Sequence, residues 1–203
     1  GQLVRKKSAP FNNATVSAIG DFNGDGKPDM LYSHNPTDES YLVVAYHDGV
    51  DNFLPPTMYP AGGPRRAGFF PAVGDFDSDG TLDVILAVDG NAPQAKLTHW
   101  RQTPEGGFAF VRDWLVYDIP QTLIAADMNR DGRKDLLIAH QNWDAIGYMQ
   151  QAKKSDGSYW LDVETKAYAR IGNQAQPHDV AVGDYNNDGC PDVAFTSSNS
   201  GLQ

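Results

Sequence analysis

Cysteine is almost absent from this chain of 203 residues, and its one cysteine, Cys190, has no partner for an internal disulfide. Long apolar stretches are also absent, since the longest aliphatic run covers residues 84–88 and is far too short to span a membrane. Positive charge is scarce, because 16 Lys and Arg face 26 Asp and Glu. The net charge of −10 argues against nucleic acid or an anionic membrane as partner. We therefore predict no nucleic-acid binding and no membrane insertion.

Catalytic motifs are missing as well. The chain contains no Gly-x-Ser-x-Gly, no glycine-rich phosphate loop and no local pairing of Cys190 with a histidine. The histidines show no spacing typical of zinc ligands, and they are His34, His47, His99, His140 and His178. These absences predict a protein that is not an enzyme and does not bind zinc.

A repeated acidic motif is the strongest signal in the sequence. Four segments align without gaps on the pattern Asp, x, Asn or Asp, x, Asp, Gly, x, x, Asp. They cover residues 21–29, 75–83, 127–135 and 184–192. Their first aspartates are 54, 52 and 57 residues apart, so the chain is built from four related units.

Short apolar runs flank each motif. They precede it at residues 16–20, 70–74, 123–126 and 180–183, and they follow it at 30–32, 84–88, 136–139 and 193–195. Their length and their β-branched residues predict buried strands. Two further runs follow in each unit, for example 41–46 and 53–59. About four strands in a unit of about 54 residues predict an all-β fold, with each unit one blade of a β-propeller.

The spacing of the motif is typical of a site for a hard cation. Oxygen ligands at positions 1, 3, 5 and 9, with a backbone carbonyl at position 7 and glycine at position 6 for the sharp turn, suit calcium. We predict four ions, one in each loop. The predicted ligands are Asp21, Asn23, Asp25, Lys27 and Asp29; Asp75, Asp77, Asp79, Thr81 and Asp83; Asp127, Asn129, Asp131, Arg133 and Asp135; Asp184, Asn186, Asp188, Cys190 and Asp192.

The loops admit three other interpretations. An EF-hand requires a glutamate at position 12 and flanking helices, whereas position 12 here is Tyr32, Leu86, Ile138 or Phe195 inside an apolar run. Simple Asx-turns would explain the Asp and Asn residues without an ion. Magnesium would demand a stricter octahedral geometry.

The distribution of charge favours an ion. The four motifs hold 13 of the 26 acidic residues. Clustered carboxylates repel one another when no cation lies between them. Four calcium ions would reduce the net charge from −10 to about −2.

These residues resemble the FG-GAP or VCBS-type repeat of integrin α-subunit propellers, bacterial surface proteins and some fungal lectins. The segment 21–29 matches the family pattern fully, while Ala126 and Met128 replace its usual Gly and Phe and leave the ligands intact. The resemblance implies a closed propeller, of seven blades in most members. It also implies calcium loops on one face and ligands at the other face or between blades, and it implies no single function.

The length predicts an incomplete ring. The expected repeats are 14–66, 67–117, 118–173 and an incomplete 174–203, with residues 1–13 forming an outer strand of a neighbouring blade. We expect a fragment of a longer propeller, and the alternative is a half-ring completed by another copy of the chain.

Several residues outside the motifs carry two interpretations each. The aromatic side chains either fill gaps between blades or stack on sugars, and they are Trp100, Trp114, Trp143, Trp160, Tyr148 and Tyr159. Asn13 begins a glycosylation sequon. Cys190 is expected to be an inert thiol or an intermolecular disulfide partner.

The function predicted from the sequence is recognition. We expect a secreted or cell-surface module that binds a protein or glycan, because calcium sites of modest affinity suit the millimolar calcium outside cells. The alternatives are a structural subunit of a surface filament or sheath, and a non-catalytic domain of a larger polysaccharide-degrading enzyme.

Overall fold

The computed structural model describes residues 14–34, 40–50, 52–61, 71–88, 95–117, 119–140, 145–169, 177–197 and 201–202. These residues form 17 β-strands and no helix, which confirms the all-β class. Accordingly, the described segments offer no apolar helix of membrane-spanning length. The predictions made for residues 1–13 with Asn13, for Trp143 and for the side chain of His178 lie outside the described residues.

The first two sheets are antiparallel meanders of four strands each. The first sheet has the order β1-β2-β3-β4, with bounds Ala14–Gly20, Asp29–His34, Tyr41–Ala45 and Thr57–Pro60. The second has the order β5-β6-β7-β8, with bounds Ala72–Gly74, Asp83–Val88, Lys96–Gln102 and Phe108–Leu115. Each strand pairs with the next along the chain, as the spacing of the apolar runs predicts.

The third and fourth sheets vary this plan. The third has the order β14-β11-β10-β9 and a separate hairpin, β12-β13, between β11 and β14. Its strands are β9 Pro120–Ala126, β10 Asp135–His140, β11 Ala145–Met149, β12 Gln151–Lys153, β13 Tyr159–Leu161 and β14 Thr165–Ala169. The fourth has the order β15-β16-β17, with bounds Pro177–Gly183, Asp192–Ser197 and Gly201–Leu202.

One predicted strand is shorter than expected. The run 53–59 was predicted as a strand, but β4 begins only at Thr57. Pro55 and Pro56 have no amide hydrogen for a ladder, so the regular pairing begins after them. Phe53 instead forms an isolated bridge with His47.

The second strand of the second sheet is buried on both faces. Val84, Leu86 and Val88 point from β6 into a cluster shared with the first sheet, which includes Leu31 and Leu42. Ile85 and Ala87 point the other way, into a cluster shared with the third sheet. Burial on both faces explains why this strand is a continuous apolar run rather than an alternating one.

Successive sheets therefore stack face to face with an apolar layer between each pair. The layer between the third and fourth sheets contains Leu137, Ile146, Val180 and Phe195. The first strands of neighbouring sheets lie beside each other, since β9 contacts both β5 and β15. No sheet can bury both of its faces alone, so the sheets stabilise one another as a stack.

Replacing Leu86 by alanine tests the importance of these layers. Leu86 is fully buried between two sheets, so Leu86→Ala should lower the free energy of unfolding by about 2–5 kcal/mol. The matched control is Leu115→Ala, because Leu115 is 75% exposed and its truncation should change stability by less than about 0.5 kcal/mol. Urea denaturation measures both values, and equal losses would contradict this account of the core.

Candidate metal centres

The four motif loops occupy the same place in their sheets. Each connects the first strand to the second, and its position 9 pairs with the residue just before position 1. The four pairs are Gly20 with Asp29, Gly74 with Asp83, Ala126 with Asp135, and Gly183 with Asp192. Because the register is identical, equivalent side chains can be compared directly between repeats.

The loops lie along one edge of the stacked sheets. Residues of the first and second loops line a common cleft. A Cβ at Gly74, before the second loop, would touch the Lys134 side chain of the third loop. Arg130 of the third loop donates a hydrogen bond to the carbonyl of Gly189 in the fourth, at 3.0 Å. Anything bound by one loop is therefore close to its neighbours.

All four loops share an unusual backbone conformation. Position 6 has a positive φ between 79° and 89°, and it is Gly26, Gly80, Gly132 or Gly189. Position 4 has a positive φ as well, although three of its residues carry side chains: Ser78, Arg130 and Asn187. The left-handed conformation disfavours side chains, so the loop holds position 4 against its local preference.

The carboxylate at position 1 organises the loop backbone. Asp21 accepts hydrogen bonds from the amides of Gly24 at 2.7 Å, Asp25 at 3.1 Å and Gly26 at 2.8 Å. Asp75, Asp127 and Asp184 accept the amides at positions 5 and 6 in the same way. These are Asx-type bonds. In Asp75, Asp127 and Asp184 each carboxylate oxygen accepts one of them and keeps a further lone pair that a cation could use, whereas in Asp21 only Oδ2 keeps one.

Positions 3 and 5 extend the same pattern. The side-chain oxygen of Asn23, Asp77, Asn129 or Asn186 accepts the amide at position 5 at 2.9–3.2 Å. Carboxylate oxygens of Asp75, Asp77 and Asp79 lie within 4.8 Å of one another. Calcium–oxygen bonds of about 2.3–2.6 Å would let one ion reach all three, so the donor set of the second loop fits a calcium ion.

The side chain at position 7 has a role that the sequence did not reveal. Lys27 Nζ lies 3.0 Å from Asp25 and lowers the pKa of that carboxyl by hydrogen bonding. Arg133 contacts Asp131 in the same way, and the hydroxyl of Thr81 donates to Asp79 at 2.6 Å. In the fourth loop, the backbone amide of Cys190 is the largest cause of a lowered pKa at Asp188. The lowered pKa values favour the charged forms of Asp25 and Asp188.

The carboxylate at position 9 is buried in the first three repeats. Asp29 accepts hydrogen bonds from the amides of Phe22 at 2.9 Å and His47 at 2.8 Å. Asp135 accepts the equivalent amides of Met128 and Gln151, and in addition the hydroxyl of Tyr148 at 2.9 Å. Burial raises the pKa of Asp135, and the hydrogen bonds oppose that rise.

The second repeat departs from this arrangement. Asp83 accepts the amide of Phe76 at 2.9 Å through Oδ2, while its Oδ1 has no hydrogen bond. Nε2 of His99 lies 3.2 Å from Oδ2, and both side chains are completely buried. Sequence spacing missed His99, which follows Asp83 by 16 residues. Pairing β6 with β7 in register would have placed His99 beside it, because Ile85 pairs with His99.

A cleft of about 820 Å³ opens between the first and second loops. Its polar lining includes Asp21, Asn23, Asp79, Arg101 and Gln102. Carboxylates and a guanidinium therefore face the same space, beside two of the predicted cation sites.

The predicted aromatic residues take different positions. Trp100 is 5% exposed in the apolar layer between the first two sheets, so the sugar-stacking interpretation is wrong for this residue. Trp114 stacks on His99, and Trp160 lies under the guanidinium of Arg112 at 4.0 Å. Both follow the gap-filling interpretation, since protein side chains contact their rings.

Two further histidines and the cysteine are accounted for by their surroundings. His140 is buried beside the carboxylate of Glu164. His47 forms an edge-to-face contact with Phe53. Cys190 is an exposed free thiol.

Comparison with known proteins agrees with the repeat pattern. The profile of the FG-GAP-like repeat matches residues 21–86, 75–138 and 127–195. The chain is also similar to protein linkin of Caenorhabditis elegans, with 30% identity over 152 residues that cover 70% of this chain and 25% of linkin. The chain thus spans about a quarter of the length of that relative.

Replacing Asp29 by asparagine tests the buried carboxylate. Asp29→Asn exchanges one acceptor oxygen for an NH2 donor and leaves a backbone amide without its partner, so stability should fall by about 1–3 kcal/mol. Urea denaturation in EDTA measures this loss without any contribution from calcium.

The control for this substitution is Asp113→Asn. Asp113 is an exposed partner of Lys96 at 3.3 Å, and its loss should cost less than about 1 kcal/mol. If Asp29→Asn costs no more than this control, the buried hydrogen bonds do not stabilise the loop.

Proposed function

The chain belongs to the FG-GAP-like repeat family, and on that premise we propose that it is an extracellular, calcium-stabilised recognition module. It forms part of a β-propeller and binds a protein or glycan partner. We include no catalytic step, because repeats of this family are generally non-enzymatic. Repeats of this family are typical of extracellular and cell-surface proteins, which supports the same location here.

The repeated loop geometry carries this proposal. Four loops have the same register, the same positive φ at positions 4 and 6, and oxygen donors at positions 1, 3 and 5. Oxygen ligands in a flexible loop suit calcium, and sites of modest affinity suit extracellular modules. Stacked antiparallel sheets with these loops along one edge support a propeller blade as the unit.

The role of the ions in this proposal is to stabilise the fold. An ion bound only by the folded chain adds about 2.7 kcal/mol per site when its concentration is a hundredfold above Kd. The ion would also neutralise the carboxylates that each loop brings together. A rigid, neutralised edge would hold the cleft between the first two loops in one shape for a partner.

Calcium removal tests the stabilising role. Equilibrium dialysis should find about four ions per chain, and EDTA should lower Tm by many degrees because the loop carboxylates then repel one another. The variant Asp127→Asn, which weakens the third loop alone, should lose one ion and retain the others. Identical melting curves in calcium and EDTA would contradict calcium binding, and equal stabilisation by magnesium would contradict its selectivity.

Partner binding at the cleft needs a separate test. The purified chain should bind a member of a defined-glycan array or of a panel of purified extracellular matrix proteins in calcium, and EDTA should abolish that binding. Gln102→Trp fills the cleft and should reduce binding by at least tenfold. The control is Val163→Trp, a substitution at a residue that is 77% exposed and does not line the cleft.

Two results would overturn the partner proposal. The absence of binding to every probe in calcium would contradict a recognition module. Equal binding by Gln102→Trp and the unaltered chain would exclude the cleft as the binding surface.

A further inference from the structure

The second repeat differs from its neighbours at one register position. The residue that pairs with the third residue of the second strand is Val44 in the first sheet, His99 in the second and Tyr148 in the third. This position lies next to the buried carboxylate at position 9. Among the described residues this register position can be compared in three sheets. Only the second sheet has a nitrogen-bearing side chain there.

The three buried carboxylates are satisfied to different degrees. In the first repeat two backbone amides donate to Asp29, and in the third two amides and the hydroxyl of Tyr148 donate to Asp135. In the second repeat a single backbone amide donates to Asp83, and Oδ1 has no hydrogen bond. Asp83 therefore lacks one hydrogen-bond donor that Asp29 and Asp135 have.

The imidazole of His99 shows the same deficit. The ring is completely buried, and neither Nδ1 nor Nε2 makes a hydrogen bond. Nε2 lies 3.2 Å from Asp83 Oδ2, but the ring does not direct an N–H bond at that oxygen. Buried polar atoms are nearly always partnered, so three unpartnered atoms in one cluster indicate a missing bound group.

The spacing of these groups fits a metal ion. Ligand atoms of Asp77, Asp83 and His99 all lie within 4.8 Å of one another, and all three residues are buried. Two ligands on one ion with bonds of about 2.1 Å lie about 3.4 Å apart at a tetrahedral angle, close to the observed separation of His99 and Asp83. Two carboxylates, one of them shared with Arg101, lower the cost of placing a divalent ion in this buried setting.

The neighbours of the cluster support this assignment. Trp114 stacks on the imidazole, with ring centroids 5.7 Å apart and planes at 20°, and thus holds the ring in one orientation. Arg101 contacts Oδ2 of Asp77, and Oδ1, which accepts the amide of Asp79 at 3.2 Å, keeps one lone pair for an ion. Groups that orient a ligand in this way commonly strengthen metal sites.

We propose that Asp77, Asp83 and His99 form a binding site for one divalent transition-metal ion, with zinc the closest chemical match. An imidazole with two carboxylates suits zinc or its neighbours, whereas calcium takes oxygen ligands alone. The fourth coordination position is open to water or an external ligand. The site forms without calcium in the loops, but it shares Asp77 and Asp83 with the predicted calcium ligands of the second loop, so a transition metal and calcium compete for these two carboxylates.

Cobalt provides a direct test, because it substitutes for zinc and its visible absorption is strong in a four-coordinate site and weak in an octahedral oxygen site. The metal-stripped chain should bind one equivalent of Co²⁺ with a visible absorption band, and Zn²⁺ should displace it. Titrations without calcium test the site by itself, so a failure of calcium binding would leave that result unaffected. In excess calcium the apparent cobalt affinity should fall, because both ions use Asp77.

Substitutions identify the ligands. His99→Phe removes both nitrogens and keeps a ring against Trp114, and Asp77→Asn removes a carboxylate nearer the surface. Each should weaken cobalt binding by at least about 10–100-fold. The control His47→Gln removes a histidine outside the cluster and should leave the titration unchanged. Circular dichroism and Tm establish that each variant is folded.

The outcomes decide the proposal in both directions. Loss of the cobalt band in folded His99→Phe or folded Asp77→Asn, with the band retained in His47→Gln, supports it. If the unaltered chain shows no strong visible cobalt band, the proposal is wrong. It is also wrong if both cluster variants bind cobalt as tightly as the unaltered chain.

Discussion

Each loop of this chain is held to its sheet by a carboxylate at position 9, buried in the first three repeats, that accepts a hydrogen bond from the backbone near the start of that loop. The oxygen at position 9 accepts the amide at position 2 at 2.9–3.1 Å in all four repeats. This bond joins the first residue of the second strand to the residue after position 1. It ties the start of the loop to the second strand, while the carboxylate at position 1 holds the turn at position 6. A carboxylate suits this role because a charged acceptor forms stronger hydrogen bonds than a neutral one.

The second constraint is the burial of a strand on both faces. Alternate residues of β6 enter apolar layers on opposite sides, so the strand requires a neighbouring sheet on each side. A single repeat is therefore not stable by itself, although it is the repeating unit of the sequence. The same geometry brings the loops together along one edge, where Arg130 links the third loop to the fourth. Loops that are more than 50 residues apart in sequence become neighbours in this way.

Comparison between repeats shows where the molecule has departed from its own pattern. Val44, His99 and Tyr148 occupy one register position, and each gives the adjacent carboxylate a different environment. A hydroxyl satisfies Asp135, whereas an imidazole without hydrogen bonds lies beside Asp83. The first and third repeats therefore serve as references for the second. The second repeat has the same motif and differs in the side chain beside its position-9 carboxylate.

The sequence by itself determined the number of repeats, the place of each loop between two strands and the oxygen donors at positions 1, 3 and 5, because these depend on residues close together in the chain. It also indicated the family, through the same short motif. Only the tertiary structure decided that Trp100 lies in a core layer and that His99 meets Asp83. These features depend on which strand edges pair and which faces pack. Such contacts join residues at no regular spacing in the sequence, so no local pattern predicts them.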